Sequence, residues 1–199
     1  MVFLPYYTNI STLKFSNEME TNIIIEELEN IAGMLAGTKQ EYYYQQKVAD
    51  ALVVECVRMR EVFSREEMRF LREFYNPQQK HCYRNASTLV KLMSHPLAKN
   101  MFKKPVKYVE GYAYAAGLLP IEHAFVKYDE EYIDPTFERA LKLDVRKEMY
   151  VSLIELEPAT MMKYELETGC YGELYKYDYC CKNDPSMAER IRAMNPNKQ

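Results

Sequence analysis

The chain has 199 residues, 48% of them hydrophobic and 28% charged, with a formal net charge of −3. This is an ordinary globular composition, long enough for one sizeable core, and we read a single domain over residues 1–199. Mild acidity and the lack of a long basic run disfavour nucleic acid as a partner. No apolar run approaches the ~20 residues that cross a bilayer. The start, Met1-Val2-Phe3-Leu4-Pro5, lacks the charged and apolar regions of a signal peptide, so the expectation is a cytoplasmic protein without membrane contact.

The first third reads as helical. Asn17 to Ala36 carries Ile24, Leu28, Ile31 and Leu35 at helical spacing before Gly37 supplies a stop. Thr38 with Glu41 has the spacing of a capping box, and Val48, Leu52, Cys56, Met59 and Phe63 then recur every three or four residues, which predicts one long amphipathic second helix. Cys56 falls on its apolar stripe and reads as a small core residue. Ser64 with Glu67 repeats the capping pattern, and Met68, Leu71 and Tyr75 continue a stripe until Asn76-Pro77 breaks it. From Cys82, the residues Ala86, Leu89, Val90 and Met93 share one helical face, so Cys82 lies in the first turn of a helix.

After Pro96 and Pro105 the period changes to two. Tyr108, Glu110, Tyr112 and Tyr114 alternate with Val109, Gly111 and Ala113, a strand whose small-residue side either admits a close neighbour or marks a bulge at the glycine. A second strand spans His123 to Tyr128, a turn falls at Asp129-Glu130, and Tyr132-Ile133-Asp134 completes a hairpin. Further on, Tyr150 to Leu156 reads as a strand, Pro158 to Thr168 as a helix closed by Gly169, and Asp184-Pro185 as the start of a terminal helix. The fold class is therefore α+β: a helical part over residues 17–75, a nucleophile helix packed on a small antiparallel sheet over residues 78–137, and a strand and helix extension over residues 150–199. The 18 tyrosines gather in Tyr42-Tyr43-Tyr44 and again from Tyr164 to Tyr179, and read as semi-buried packing with hydroxyls reaching water.

Three segments carry chemistry. His81-Cys82-Tyr83-Arg84-Asn85, Glu122-His123-Ala124-Phe125 and Ile133-Asp134-Pro135-Thr136 supply one thiol, one imidazole and one carboxylate. A thiol becomes a good nucleophile when a helix N-terminus and an imidazole favour its thiolate, and the imidazole needs an acceptor on its far nitrogen to fix its tautomer. In the hairpin, His123 near the start of one strand and Asp134 at the end of its partner come to the same end of the sheet. Asn85, one turn beyond Cys82, borders the same face and reads as a structural residue or a hydrogen-bond donor in the site. Glu110 and Glu122 flank the proposed strands and read as solvated charges, or as readers of a cationic substrate. The five cysteines are odd in number and scattered, with Cys170 and the adjacent Cys180-Cys181 beside those already named, which suits free thiols in a reducing compartment. No Cys-x-x-Cys pair or paired histidine spacing occurs, so neither a metal nor a cofactor is implied.

Cys82 on a helix, then Lys107-Tyr108-Val109-Glu110-Gly111-Tyr112-Ala113, then His123-Ala124-Phe125, then Asp134-Pro135-Thr136 resembles the transglutaminase-like branch of the papain-like cysteine protease superfamily. The chain has Tyr83 and Phe125 where that family usually has tryptophan, lacks its glycine before the cysteine, and resembles it over roughly residues 78–137 alone. The resemblance implies a cysteine hydrolase or acyltransferase, a peptidase, amidase or transglutaminase, acting on a protein or peptide amide. Cys82 would attack the carbonyl, His123 would move the proton, Asp134 would hold the imidazole, and water or an amine would resolve the thioester. The oxyanion would meet the Cys82 backbone amide and the side chain of Gln78 or Gln79. The alternative is a catalytically inactive member that binds another protein through its tyrosines, and either version suits a small phage-type protein.

Overall fold

The computed structural model describes residues 22–115 and 119–195. Helix α1 (Ile23–Met34) starts where the Asn22 side chain accepts the Ile24 amide at 3.0 Å. The portion of the expected first helix before Asn22 lies outside the described residues. Helix α2 (Lys39–Asp50) is capped by Thr38, which accepts the Glu41 amide, while Glu41 reaches back to the Gly37 amide rather than to Thr38 itself.

Here the expected long second helix is corrected. It stops at Asp50, and Leu52–Val54 form strand β1, paired antiparallel with β5 (Met149–Leu156) through Leu52↔Ser152, Val53↔Val151 and Val54↔Tyr150. The two adjacent valines suit an extended backbone, and the sheet edge offers ladder partners that a solvent-exposed helix turn would lack. Cys56 is buried as expected, but in a bridge to Tyr132 rather than on a helical stripe. A short helix, α3 (Met59–Val62), precedes α4 (Arg65–Phe74), whose capping box is formed: Ser64 accepts the Glu67 amide and Glu67 accepts the Ser64 amide.

Helix α5 (Cys82–Ser94) buries Ala86, Leu89, Val90 and Met93, the face predicted by their spacing. Strands β2 (Val106–Tyr114), β3 (Ile121–Tyr128) and β4 (Glu131–Ile133) follow, with Asp129 in the left-handed region at the β3–β4 turn. The five strands form one antiparallel sheet in the order β1-β5-β2-β3-β4. Both faces are covered, which explains the period-two pattern of large residues. Tyr108, Ala124, Val126 and Tyr128 pack with α3, α4 and α5, while Val109, Ala113 and Phe125 pack with Cys56, Phe137 and Tyr150 on the other side. The bulge reading of Gly111 holds: the β2–β5 register shifts between Glu110 and Gly111, and a Cβ there would lie 1.9 Å from the Val151 carbonyl oxygen. After β5, α6 (Pro158–Thr168) and α8 (Pro185–Ala193) match expectation, and α7 (Leu174–Asn183), which the sequence did not announce, lies between them.

Candidate active site

His123 extends from β3 into the second core face, its ring 4.6 Å from that of Phe137 and stacked along Phe125 at 6.4 Å. Its Nε2 lies 2.7 Å from Asp134 Oδ2, in a pair with essentially no exposed surface. Asp134 follows the last residue of β4 directly, so the β3–β4 hairpin brings the two side chains together.

The carboxylate is fully engaged. Its Oδ1 accepts the backbone amides of Thr136 at 2.9 Å and Phe137 at 3.0 Å, and Oδ2 also accepts the Tyr150 hydroxyl at 3.1 Å. Four donors thus hold it in one rotamer, which fixes the imidazole in turn. The amides come from the turn after Pro135, where a short aspartate accepts hydrogen bonds from residues two and three positions on. Tyr150, from β5, has no sequence signal; register alone brings it here.

Cys82 opens α5, with His81 at the N-cap contributing no side-chain cap. The first-turn amides therefore lack an intrahelical acceptor and face whatever lies beyond the helix end. His123 Nδ1, the nitrogen Asp134 does not use, has no hydrogen bond of ordinary geometry. Cys82 is among the groups whose proximity acts on the imidazole, after Asp134. Burial alone would depress the imidazole; the charge and hydrogen bond of Asp134, then those of Cys82, outweigh it and push the group up to about 10.

Asn85 is a brace. Buried on α5, it accepts the Gln78 amide at 2.9 Å, donates to the Gln78 carbonyl at 2.7 Å, and donates to Thr136 Oγ1 at 3.0 Å, tying α5 to the Asp134 turn. The two glutamines point elsewhere. Gln78 Nε2 donates to the Asn76 carbonyl at 3.2 Å and Gln79 Nε2 to the Ala140 carbonyl at 3.3 Å, both on exposed side chains.

Glu110 is neither solvated nor free. It is buried, accepts the Tyr108 hydroxyl at 2.7 Å, and caps α7 from a distance by accepting the Leu174 amide at 3.1 Å and the Tyr175 amide at 2.8 Å. Burial raises its carboxyl more than these bonds lower it, to about 7. The α6–α7 loop that this cap anchors lies on the first turn of α5: a Cβ on Gly172 would sit 2.6 Å from the Tyr83 ring, so the backbone lies directly on that ring. The Tyr171 carbonyl lies 3.1 Å from the same Tyr108 hydroxyl and shares its one proton with Glu110.

Beside Tyr83 opens a cavity of about 450 Å³, walled by tyrosines of α2, β2 and α7. Among the described residues no cluster of three or more histidine, cysteine or acidic groups is suited to a metal ion, and no helix is long and apolar enough to cross a membrane. No family model, curated protein or solved structure matches the chain.

Proposed function

We propose that the protein is a cysteine-dependent acyl-transfer enzyme of the papain-like, transglutaminase-like kind. The observation that carries this reading is the fully buried His123–Asp134 pair at 2.7 Å, whose second ring nitrogen has no hydrogen-bond partner among the described residues, with Cys82 at the start of α5 among the groups that act on the ring. A buried histidine with a purely structural role would be expected to satisfy both nitrogens with ordinary hydrogen bonds.

The steps follow from the groups present. The reactive form is the ion pair in which His123 already holds the proton on Nδ1 and Cys82 is the thiolate, and the sulfur attacks the carbonyl carbon of an amide or ester. The tetrahedral oxyanion is met by amides at the α5 N-terminus. Collapse expels the amine or alcohol, which takes the proton back from Nδ1, and leaves a thioester on Cys82. Water or a second amine, deprotonated by the same nitrogen, then releases the acyl group and regenerates the thiol. Asp134 stays ionised throughout and stabilises the imidazolium. Resemblance in the order and context of Cys82, His123 and Asp134 supports the same roles.

An ester donor tests this without knowledge of the substrate. Incubation with p-nitrophenyl acetate is expected to release p-nitrophenolate in a burst and to leave an acetyl group on Cys82, located by mass spectrometry. His123→Gln, which keeps a hydrogen bond to Asp134, is expected to slow the burst by roughly a hundredfold or more. Acetylation spread over several cysteines, or unchanged in the variant, overturns the proposal.

A further inference from the structure

The cavity beside Tyr83 lies next to the start of α5: Tyr83, which follows Cys82 in sequence, forms one wall, and the strand pair Tyr112 and Glu122, on the sheet face opposite to His123, forms another. At about 450 Å³ it is of the size that holds a small ligand or one large side chain with part of its backbone. Its remaining lining is rich in tyrosine rings, among them Tyr43, 4.9 Å from Tyr179 and 5.9 Å from Tyr175.

Charges are abundant around this space, and most of them are engaged within the chain, Lys39 having no ion pair among the described residues. Lys47, only 2% exposed, donates to the Tyr112 hydroxyl and to Glu122 Oε1, each at 2.8 Å. Its ammonium also lies 4.8 Å from the Tyr43 ring centroid, 4.9 Å from that of Tyr44 and 5.2 Å from that of Tyr112. This is a cation–π cage already filled from within the chain. Glu110 is consumed by the α7 amides, Lys176 pairs with Glu173 at 3.0 Å, and Asp184 accepts the Met187 amide at the start of α8.

We propose that this cavity receives an uncharged, ring-bearing side chain of the amide substrate, and that Lys47 sets the preference by occupying the cage in which a substrate ammonium would otherwise lodge. A cationic side chain would enter beside the Lys47 ammonium with its best ring faces already taken, and would lose hydration without gaining a partner. A neutral ring meets further tyrosine faces and edges and needs no counter-ion. The assignment to substrate rests on Cys82 being the nucleophile; the binding preference does not.

Saturation-transfer NMR on the full chain with N-acetyltyrosinamide and N-acetyllysinamide separates the two. The tyrosine amide is expected to bind at least roughly tenfold more tightly. It is also expected to slow alkylation of Cys180, which lines the cavity, whereas the lysine amide leaves that rate unchanged. Lys47→Met is expected to bring the two affinities within about threefold of each other by vacating the cage. Should that variant fail to fold, the wild-type preference and the Cys180 protection still decide. Equal or tighter binding of the lysine amide, no binding of either, or binding without protection of Cys180 overturns the proposal. Iodoacetamide labelling of Cys82 in the same samples keeps the readings distinct: a selectively reactive Cys82 with no ring preference sinks the cavity assignment alone, while an inert Cys82 with intact ring preference sinks the acyl-transfer reading and with it the assignment to substrate.

Discussion

At the residue scale His123 stands between two opposed demands. Complete burial favours the neutral imidazole, while Asp134 at 2.7 Å favours the cation, and the carboxylate wins, raising the group to about 10. The consequence for folding has a definite sign. A histidine raised above its unfolded value of about 6.5 contributes stability that is complete below that pH and is lost as pH rises through about 10. The urea midpoint of the wild type is therefore expected to fall between about pH 6.5 and 10, and His123→Gln to flatten that decline. A decline of equal depth in the variant would assign the loss to other groups. Much of this site is legible in the sequence, because a thiol at a helix start, a histidine at the start of a strand and an aspartate at the end of its hairpin partner are fixed by local periodicity. Tyr150 and the engagement of Gln78 and Gln79 are not, since they depend on where distant segments return.

At the element scale the informative segments are those in which local and distant forces disagree. Val48, Leu52, Cys56 and Met59 carry helical spacing, yet Leu52–Val54 become an edge strand because β5, about a hundred residues on, supplies the ladder. Helix α7 has no side-chain cap of its own, with Glu173 at its N-cap in the left-handed region, and its cap comes from Glu110 on β2. No inspection of residues 170–180 reveals it. By contrast α4, with both halves of its capping box adjacent in sequence, and the β3–β4 hairpin are readable because their determinants are local. Glu110→Ala would leave the Leu174 and Tyr175 amides without their acceptor, while the Tyr108 hydroxyl keeps the Tyr171 carbonyl, at a cost of roughly 3 kcal/mol. For a chain of this size that is a fall in Tm of about 6–12 °C. Thermal denaturation checks the magnitude, and hydrogen exchange is expected to place the loosened amides in α7; loosening spread evenly over the molecule would contradict a local cap.

At the scale of the whole molecule, the antiparallel sheet is the frame on which both faces are built. Its second face buries His123 and Asp134 among Phe125, Phe137 and Tyr150, and its first carries α5, whose opening turn is tied to the Asp134 turn through Asn85. Alternation along β2 and β3 made the α+β class readable, whereas the joining of α2, β2 and α7 around a tyrosine-walled cavity comes from tertiary packing. The central claim is that Cys82 and His123 act as one unit. The most direct measurement is the rate of iodoacetamide labelling at each cysteine against pH, in the wild type and in His123→Gln. Selective labelling of Cys82 below about pH 7, lost in the variant, is the predicted result. A Cys82 that labels no faster than Cys170, or keeps its profile without His123, would contradict it.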